Sequence, residues 1–565
     1  PLNYKNSVNY SKFVIHQIID GPPENNTTKI IMKKTLLAFV IAASVATGSF
    51  AQELRCYTTE KHNEAIKNNP ALIRQMEELQ KFTQEFGRTT RTSGVVYTIP
   101  VVFHILHNYG PENISDAQIY DAMRILNEDY RKLNADTTSI VASFQGIASD
   151  SEIEFRLATI DPNGNCTNGI DRIVTQLTYL AADPAKLNPW PNNKYLNIWV
   201  ANSLENTGAA AYAYYPGAAP TASVDGVMSR HNYVGSIGTS SSTGARTLTH
   251  EIGHCFNLAH VWGSTNQPGV ACGDDLVTDT PETMGHTSCD LSSSVCNPPL
   301  IENVQNYMEY SFCEHMFTQG QSARMRIALN SPIGGRNNLW QPSNLTATGV
   351  SGPPQLCTPI ADFDLNYQLV CEGGDITFYD LSWNGRVGNW NWSFPGGVPS
   401  TSTDSSPTIN YPTAGIYPAT LSVSNATGTD SITRTSLIYV SSSQVASVPY
   451  IENFEDTASV PGNNGFLLNP DNGTTWTRVT NAAVSGTASI KINNFTNVKG
   501  QIDEWIMPAM DFSNITAPVS MTFYVANARR SSTSEDELKF AGSVNCGTSW
   551  QTRYNKSGAT LATVA

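Results

Sequence analysis

The stretch LTHEIGHCFNLAHVWG, Leu248 to Gly263, carries three histidines and a glutamate at spacings that suit metal chemistry. On a helix His250 and His254 are i and i+4, so both imidazoles share a face and can reach one ion. Glu251 is rotated to flank that ion instead of completing its shell. Asn257 tolerates the left-handed conformation that ends a helix, after which the chain can turn and bring back His260 as a third ligand. Three neutral imidazoles leave zinc an open position, which is the coordination of a catalytic site and not of a closed structural one. The plainer alternative is a core helix that happens to carry histidines. A full H-E-x-x-H with a third histidine in register is too specified a pattern for that reading.

Further along, CGDDLVTDTPE, Cys272 to Glu282, packs three aspartates and two threonines into one turn-rich loop. Hard oxygen ligands at that density suit calcium, the alternative being a solvated acidic turn. Cys272, Cys289, Cys296 and Cys313 cluster around it and allow three connectivities. Cys255, inside the histidine helix, reads as a buried small hydrophobe. Cys56, in RCYTTE, is a candidate fourth zinc ligand that would hold an enzyme latent.

The elements that must position these groups are legible as patterns. VVYTIPVVFHILHN reads as a buried strand. Ser115 can cap a helix that presents Ile119, Ala122, Leu126, Tyr130 and Leu133 on one face. EIEFRLAT and YLNIWVAN are further strands, and TGAAAYAYYP is either an edge strand able to pair with an extended substrate or a plain core strand. The order of these elements points to an α/β domain over 94–346. A linker at 347–357 follows, then a β-sandwich over 358–441 with Trp392 in its core and Cys357 and Cys371 able to pair. A second all-β region over 446–565 reads as cut short at Ala565, leaving Cys546 without its partner.

With 565 residues several domains are expected, and a formal net charge of -14 with 15% charged residues argues against nucleic acid as a partner. MKKTLLAFVIAASVATGSFAQE has the lysines, short apolar run and small-x-small site of a secretory signal peptide over 32–51, so translation is expected to start at Met32 and residues 1–31 to be an untranslated, irregular upstream extension. Residues 52–93, polar and helix-prone and then basic (GRTTRTSG), read as a pro-segment with a cleavable linker. No second apolar run is long enough for a membrane helix, so a secreted or surface-attached protein is expected.

HEIGHCFNLAH resembles the metzincin consensus, with Asn257 at the usual glycine position, and NYMEY supplies Met308 of a Met-turn with Tyr310 two residues on. Together with CGDDLVTDTP and MFTQGQSARMR these motifs resemble the pappalysin-type peptidases that include ulilysin, over about residues 95 to 330. The resemblance implies a metzincin-like α/β catalytic domain with a twisted mixed sheet, followed by all-β sandwich domains. It implies a zinc endopeptidase acting on protein or peptide substrates, with Glu251 as general base, Tyr310 stabilising the tetrahedral intermediate and Met308 as a packing floor. It also implies structural calcium at Asp275, Thr278 and Thr280, disulfides Cys272–Cys296 and Cys289–Cys313, and latency through Cys56, although Tyr57 replaces the glycine that usually follows. In such enzymes a basic residue is preferred through an acidic one between the Met-turn tyrosine and the next cysteine. Here that gap holds Ser311 and Phe312, with Glu309 and Glu314 on either side. WNWSFPGG and PTAGIYPATLSVSN resemble a polycystic kidney disease domain, and IENFED, DEWIMPAMDFS and VNCGTSWQTRY resemble jelly-roll modules of adhesins, which could bind glycan or protein. The alternative function is an adhesin built on an inactive peptidase scaffold.

Overall fold

The structure, a computed structural model, describes residues 56–89, 94–263 and 267–563 apart from 459, 461–464, 470–472, 497–501, 516–517, 530–533 and 535, with the backbone of 10, 11, 14 and 15. The signal peptide expected over 32–51 and the linker residues 90–93 lie outside the described residues. The chain divides into two compact units, one of residues 49–358 with 384–386, the other of 359–383 and 387–565 with 1–48.

In the first unit the apolar run becomes strand β1 (Tyr97–His107), buried along almost its whole length. Strands β2 (Ile153–Leu157) and β3 (Ile170–Val174) pair in parallel with successive halves of β1 on one side. On its other side the parallel ladder continues through β4 (Leu196–Ala201) to β6 (Val227–Arg230). The rim strand β5 (Ala211–Tyr212) joins β6 antiparallel and so makes the sheet mixed, as expected. β-Branched and aromatic side chains explain why these segments choose strands, and burial on both faces explains why they are nearly continuous in apolar residues.

Helix α3 (Asp116–Tyr130) follows β1 and is capped by Ser115, whose hydroxyl accepts the Gln118 N–H at 3.2 Å. Ile119, Ala122, Leu126 and Tyr130 are buried as expected, but Leu133 is 71% exposed. The helix ends at Tyr130 and Lys132 adopts φ 53°, a left-handed turn that carries Leu133 away from the buried face. The histidine stretch forms α4 (Thr247–Cys255), packed against α3 and the strands β5 and β6, and α5 (Gln319–Ala328) contributes Met325 to the same core. Two helices precede β1, α1 (Thr58–Asn68) and α2 (Ala71–Thr89), and both belong to this same unit. The helix Pro342–Ala347 reaches the first residue of the expected linker, and its last residue, Cys357, is bonded to Cys166.

In the second unit a five-stranded and a three-stranded sheet enclose Trp392, Phe378, Phe394, Ile409 and Leu421. The expected Cys357–Cys371 pairing is not made. Cys371 bonds Cys546 instead, so Cys546 has its partner within the chain. Both departures come from sequence separations of 191 and 175 residues, which only the fold can bring together. Beyond residue 446 short antiparallel pairs follow, among them Glu537–Gly542 with Gln551–Ser557. Residues 10–11 and 14–15, expected to be irregular, pair with Met510–Asp511 and with Ile506 and Trp505.

A buried ion pair ties the end of α4 to the turn that leads into β6. Arg336 and Asp225, each nearly inaccessible, meet through two bonds of 2.7 and 2.8 Å, and Arg336 Nε donates to the Cys255 carbonyl at 3.1 Å. Asp225→Ala leaves that guanidinium buried without its counter-charge and is expected to reduce the unfolding free energy by about 3–5 kcal/mol. Urea denaturation checks this, and a loss below about 1 kcal/mol would mean the pair is not what fixes the helix end.

Candidate active site

Every residue of α4 from Leu248 to Cys255 is buried, and His250 and His254 project from it one turn apart. Asn257 adopts φ 74° and turns the chain back, so that His260 joins them. His254 Nε2 lies 3.2 Å from His250 Nε2 and 3.3 Å from His260 Nε2. Two of the far nitrogens are engaged: His250 Nδ1 donates to the Tyr307 carbonyl at 2.8 Å and His254 Nδ1 to the Leu258 carbonyl at 2.7 Å, whereas His260 Nδ1 is buried without a hydrogen-bond partner among the described residues and its ring stacks on Trp262 with centres 4.5 Å apart. Those bonds fix the tautomers and aim the Nε2 lone pairs at one point. Burial, and after it the neighbouring imidazoles, hold His254 and His260 well below their ordinary pKa, hence neutral.

Cys56 completes the set. Its thiol is fully buried with Sγ 3.5 Å from His254 Nε2, and the four donor atoms lie within 4.8 Å of one another. Tetrahedral zinc with ordinary bond lengths separates its nitrogen donors by about 3.3 Å and a nitrogen from a sulfur by about 3.5 Å. The residues therefore fit zinc. Among the described residues this is the one group of three or more His, Cys, Asp and Glu side chains so gathered.

The partners of this set come from three elements. Asp129, at the end of α3, accepts from the Thr249 hydroxyl at 2.7 Å, the Tyr307 hydroxyl at 2.8 Å and Arg246 at 3.3 Å. It thus ties the start of α4 to the residue whose carbonyl orients His250. Met308 is wholly buried against α4, where a Cβ added at Gly253 would lie 2.5 Å from its Sδ, so the glycine makes room for the methionine. Glu251 is inaccessible, and burial pushes its carboxyl up to about 8 against hydrogen bonds from Cys56 and Thr58. Tyr310 Oη donates to the Cys56 carbonyl at 3.2 Å, and its ring lies edge-on to His260 at 5.0 Å. Thr58 and Asp129 were not legible as site residues, because nothing in their local sequence marks contacts with residues more than a hundred positions away.

The segment around Cys56 lies along the rim strand. Cys56 bridges Ala211 in parallel register, Tyr57 N–H donates to the Ala211 carbonyl at 2.9 Å, and Ala213 N–H donates to the Thr58 hydroxyl at 2.8 Å. That hydroxyl in turn donates to Glu251 Oε2 at 3.0 Å. Beside it opens a pocket lined by Thr243, Thr247, Glu251, Glu309, Tyr310 and Glu314, among others.

The acidic loop is only partly assembled. Asp275 is buried, its Oδ1 accepting from Val277 N–H at 3.0 Å and the Thr280 hydroxyl at 2.5 Å, while Oδ2 is buried without a hydrogen-bond partner among the described residues. Thr278 is exposed, and Asp279 caps α5 through the Thr318 hydroxyl and Gly320 N–H. The disulfides Cys272–Cys296 and Cys289–Cys313 are both present, and Cys255 is a buried free thiol.

Residues 178–330 match the sequence profile described as pregnancy-associated plasma protein-A, a peptidase family, and residues 357–440 match that of the PKD domain. An extracellular metalloprotease of Trichophyton verrucosum is 29% identical over 257 residues, 44% of this chain and 83% of that protein. One from Pyricularia oryzae is 28% identical over 306 residues, 53% of this chain and 96% of that protein. A solved structure of mature mirolysin from Tannerella forsythia in complex with a cleaved peptide is 35% identical, covers 46% of this chain and 100% of its own, and has a TM-score of 0.42.

The donor set generates a direct expectation. The full secreted chain should bind one equivalent of zinc by elemental analysis, and His254→Ala should lose it. Retention of stoichiometric zinc by His254→Ala would contradict the three-imidazole site.

Proposed function

We propose, from the premise that this chain belongs to the pregnancy-associated plasma protein-A family of metallopeptidases, that it is a secreted zinc endopeptidase made as a latent precursor. The observation that carries this is the convergence of His250, His254, His260 and Cys56 on one point, with Glu251 beside them. Secretion is supported by the leader-like sequence, by disulfides and by relatives named as extracellular. Among the described residues no helix is long and apolar enough to cross a membrane.

The three imidazoles would hold the metal, and zinc in such a set supplies Lewis acidity, lowering the pKa of water to about 7 and polarising a peptide carbonyl. Glu251 accepts the proton of the attacking water and returns it to the leaving amine, a role suited to a carboxylate that flanks the ligands without joining them. Tyr310 donates its hydroxyl hydrogen to the developing oxyanion. In the latent chain that same hydrogen bond is made to the Cys56 carbonyl, which stands in for a substrate carbonyl. An extended substrate lies along β5 and uses the Ala211 carbonyl and Ala213 N–H that Tyr57 and Thr58 engage in the precursor.

Latency follows from occupancy of each of these groups. Cys56 would take the position that three imidazoles leave open on a metal, Thr58 holds the Glu251 carboxyl, and both sit on the rim strand a substrate needs. Release requires a cut before β1, in the basic stretch 87–94 that begins in the last turn of α2.

The test is proteolysis of a protein substrate by the purified secreted chain, with cuts mapped by mass spectrometry. Chelator-sensitive cleavage is expected, including a cut within 88–94. Glu251→Gln should keep its zinc yet lose activity by about 10²–10⁴-fold, whereas Cys56→Ala should be active without prior removal of the pro-segment. Cleavage that survives Glu251→Gln would overturn the general-base assignment. No cleavage by a zinc-loaded chain lacking the pro-segment would favour the scaffold alternative.

Calcium at Asp275 and Thr280 is supported by the chemistry of the loop. Burial pushes the Asp275 carboxyl up to about 7, and its Oδ2 lacks a hydrogen-bond partner, an arrangement a bound cation would relieve. Thr278 would contribute through its backbone or through a rearranged side chain. Calorimetry on the full chain should detect calcium binding that Asp275→Asn abolishes. Identical heats from the two proteins would refute the site.

A further inference from the structure

The pro-segment helix α1 buries a cation beside β5. Lys61 is 5% exposed, and its ammonium lies 2.7 Å from Glu205 Oε1 and 3.1 Å from Glu64 Oε2 of its own helix. It stands 5.5 Å from the centre of the Tyr212 ring. Burial works against its charge, but Glu205 and Asp183 outweigh that and hold its pKa above the ordinary value. Burying an ammonium is costly unless the receiving groups are built for it, and an apolar side chain would serve better if α1 needed only an anchor.

The receiving groups belong to the part of the chain that stays when the pro-segment leaves. Asp183 is already committed, accepting from the Tyr212 and Tyr214 hydroxyls at 2.9 and 2.6 Å and facing Lys186 at 3.4 Å. Glu205 differs. Among the described residues Lys61 is the cation it pairs with, and its side chain stays 38% exposed even then. Tyr212 belongs to β5, the strand whose Ala211 carbonyl and neighbouring Ala213 N–H hold the backbone around Cys56. A peptide laid on β5 therefore passes beside an acidic and aromatic cradle that is shaped around a lysine and is distinct from the pocket between Thr243 and Glu314.

We propose that Glu205, together with the Tyr212 ring, forms a substrate subsite for a lysine or arginine side chain, and that Lys61 of the pro-segment occupies this subsite in the precursor. The inference rests on the peptidase reading above. The subsite adds a second point of recognition along the substrate, and it gives the pro-segment a hold on the cleft that does not depend on the metal.

The test uses the full secreted chain after cleavage in 88–94. Peptides that differ by lysine or glutamine at one position at a time on either side of the scissile bond are compared by kcat/KM, and the ratio within each protein is read so that overall activity cancels. The wild-type enzyme should favour lysine about fivefold at one position, the size of a partly exposed ion pair. Glu205→Gln should bring that ratio to about one, and Glu205→Lys should push it below one, favouring glutamine at the same position. Cleavage with no lysine preference at any position, or a preference that persists in Glu205→Gln, overturns the subsite while leaving the peptidase intact. No cleavage of any peptide by the wild-type chain overturns the peptidase reading and the subsite together.

Discussion

Three imidazole nitrogens pointed at one another about a common centre are the constraint on which the first compact unit depends. Their lone pairs repel, and nothing about apolar burial favours gathering them. What holds them is the backbone: the carbonyls of Tyr307 and Leu258 take the far nitrogens of His250 and His254, and each carbonyl is fixed by its own surroundings. Tyr307 is secured through its hydroxyl to Asp129, which also holds Thr249 and Arg246 at the start of α4. Leu258 follows Asn257, whose left-handed backbone lets its N–H donate back to the Gly253 carbonyl at 2.9 Å. Displacing any of these would move a ligand, so the buried sheet, α3 and the Met-turn region act as one support for a few nitrogen atoms.

The segment from Cys56 to Lys61 mirrors that support from the opposite side. It lies on the rim strand by main-chain bonds, offers a carbonyl to Tyr310, a hydroxyl to Glu251, a thiol to the imidazoles and an ammonium to Glu205. On the proposed reading each contact engages one group that a substrate would use, and the pro-segment would then trace how the cleft binds a peptide. Tyr57, standing where related precursors carry glycine, packs edge-on to Tyr212 with ring centres 6.3 Å apart and so fits the rim without the smaller residue.

What was legible in the sequence was what local periodicity controls. The i, i+4 pair of histidines, the left-handed tendency of Asn257, the Ser115 cap and the alternation of strands all concern residues close in the chain, and the motif resemblance extended this to Met308, Tyr310 and the two loop disulfides. Legibility failed where a contact joins distant segments. Thr58 and Glu251 are 193 residues apart, and Lys61 and Glu205 144 apart, so neither pair leaves a local trace. The cysteines divided the same way: bridges spanning 24 residues followed the motif, while those spanning 191 and 175 did not. Leu133 failed for a different reason, since its face was right but the helix ended three residues before it.

The central claim is that Cys56 and three histidines share one zinc in the precursor and that the thiolate leaves on activation. Zinc-edge X-ray absorption on the full secreted chain, before and after cleavage in 88–94, measures this directly. The account predicts a shell of three nitrogens at about 2.0–2.1 Å and one sulfur at about 2.3 Å in the precursor, with the sulfur replaced by oxygen after cleavage. A precursor spectrum without sulfur, or one unchanged by activation, would contradict it.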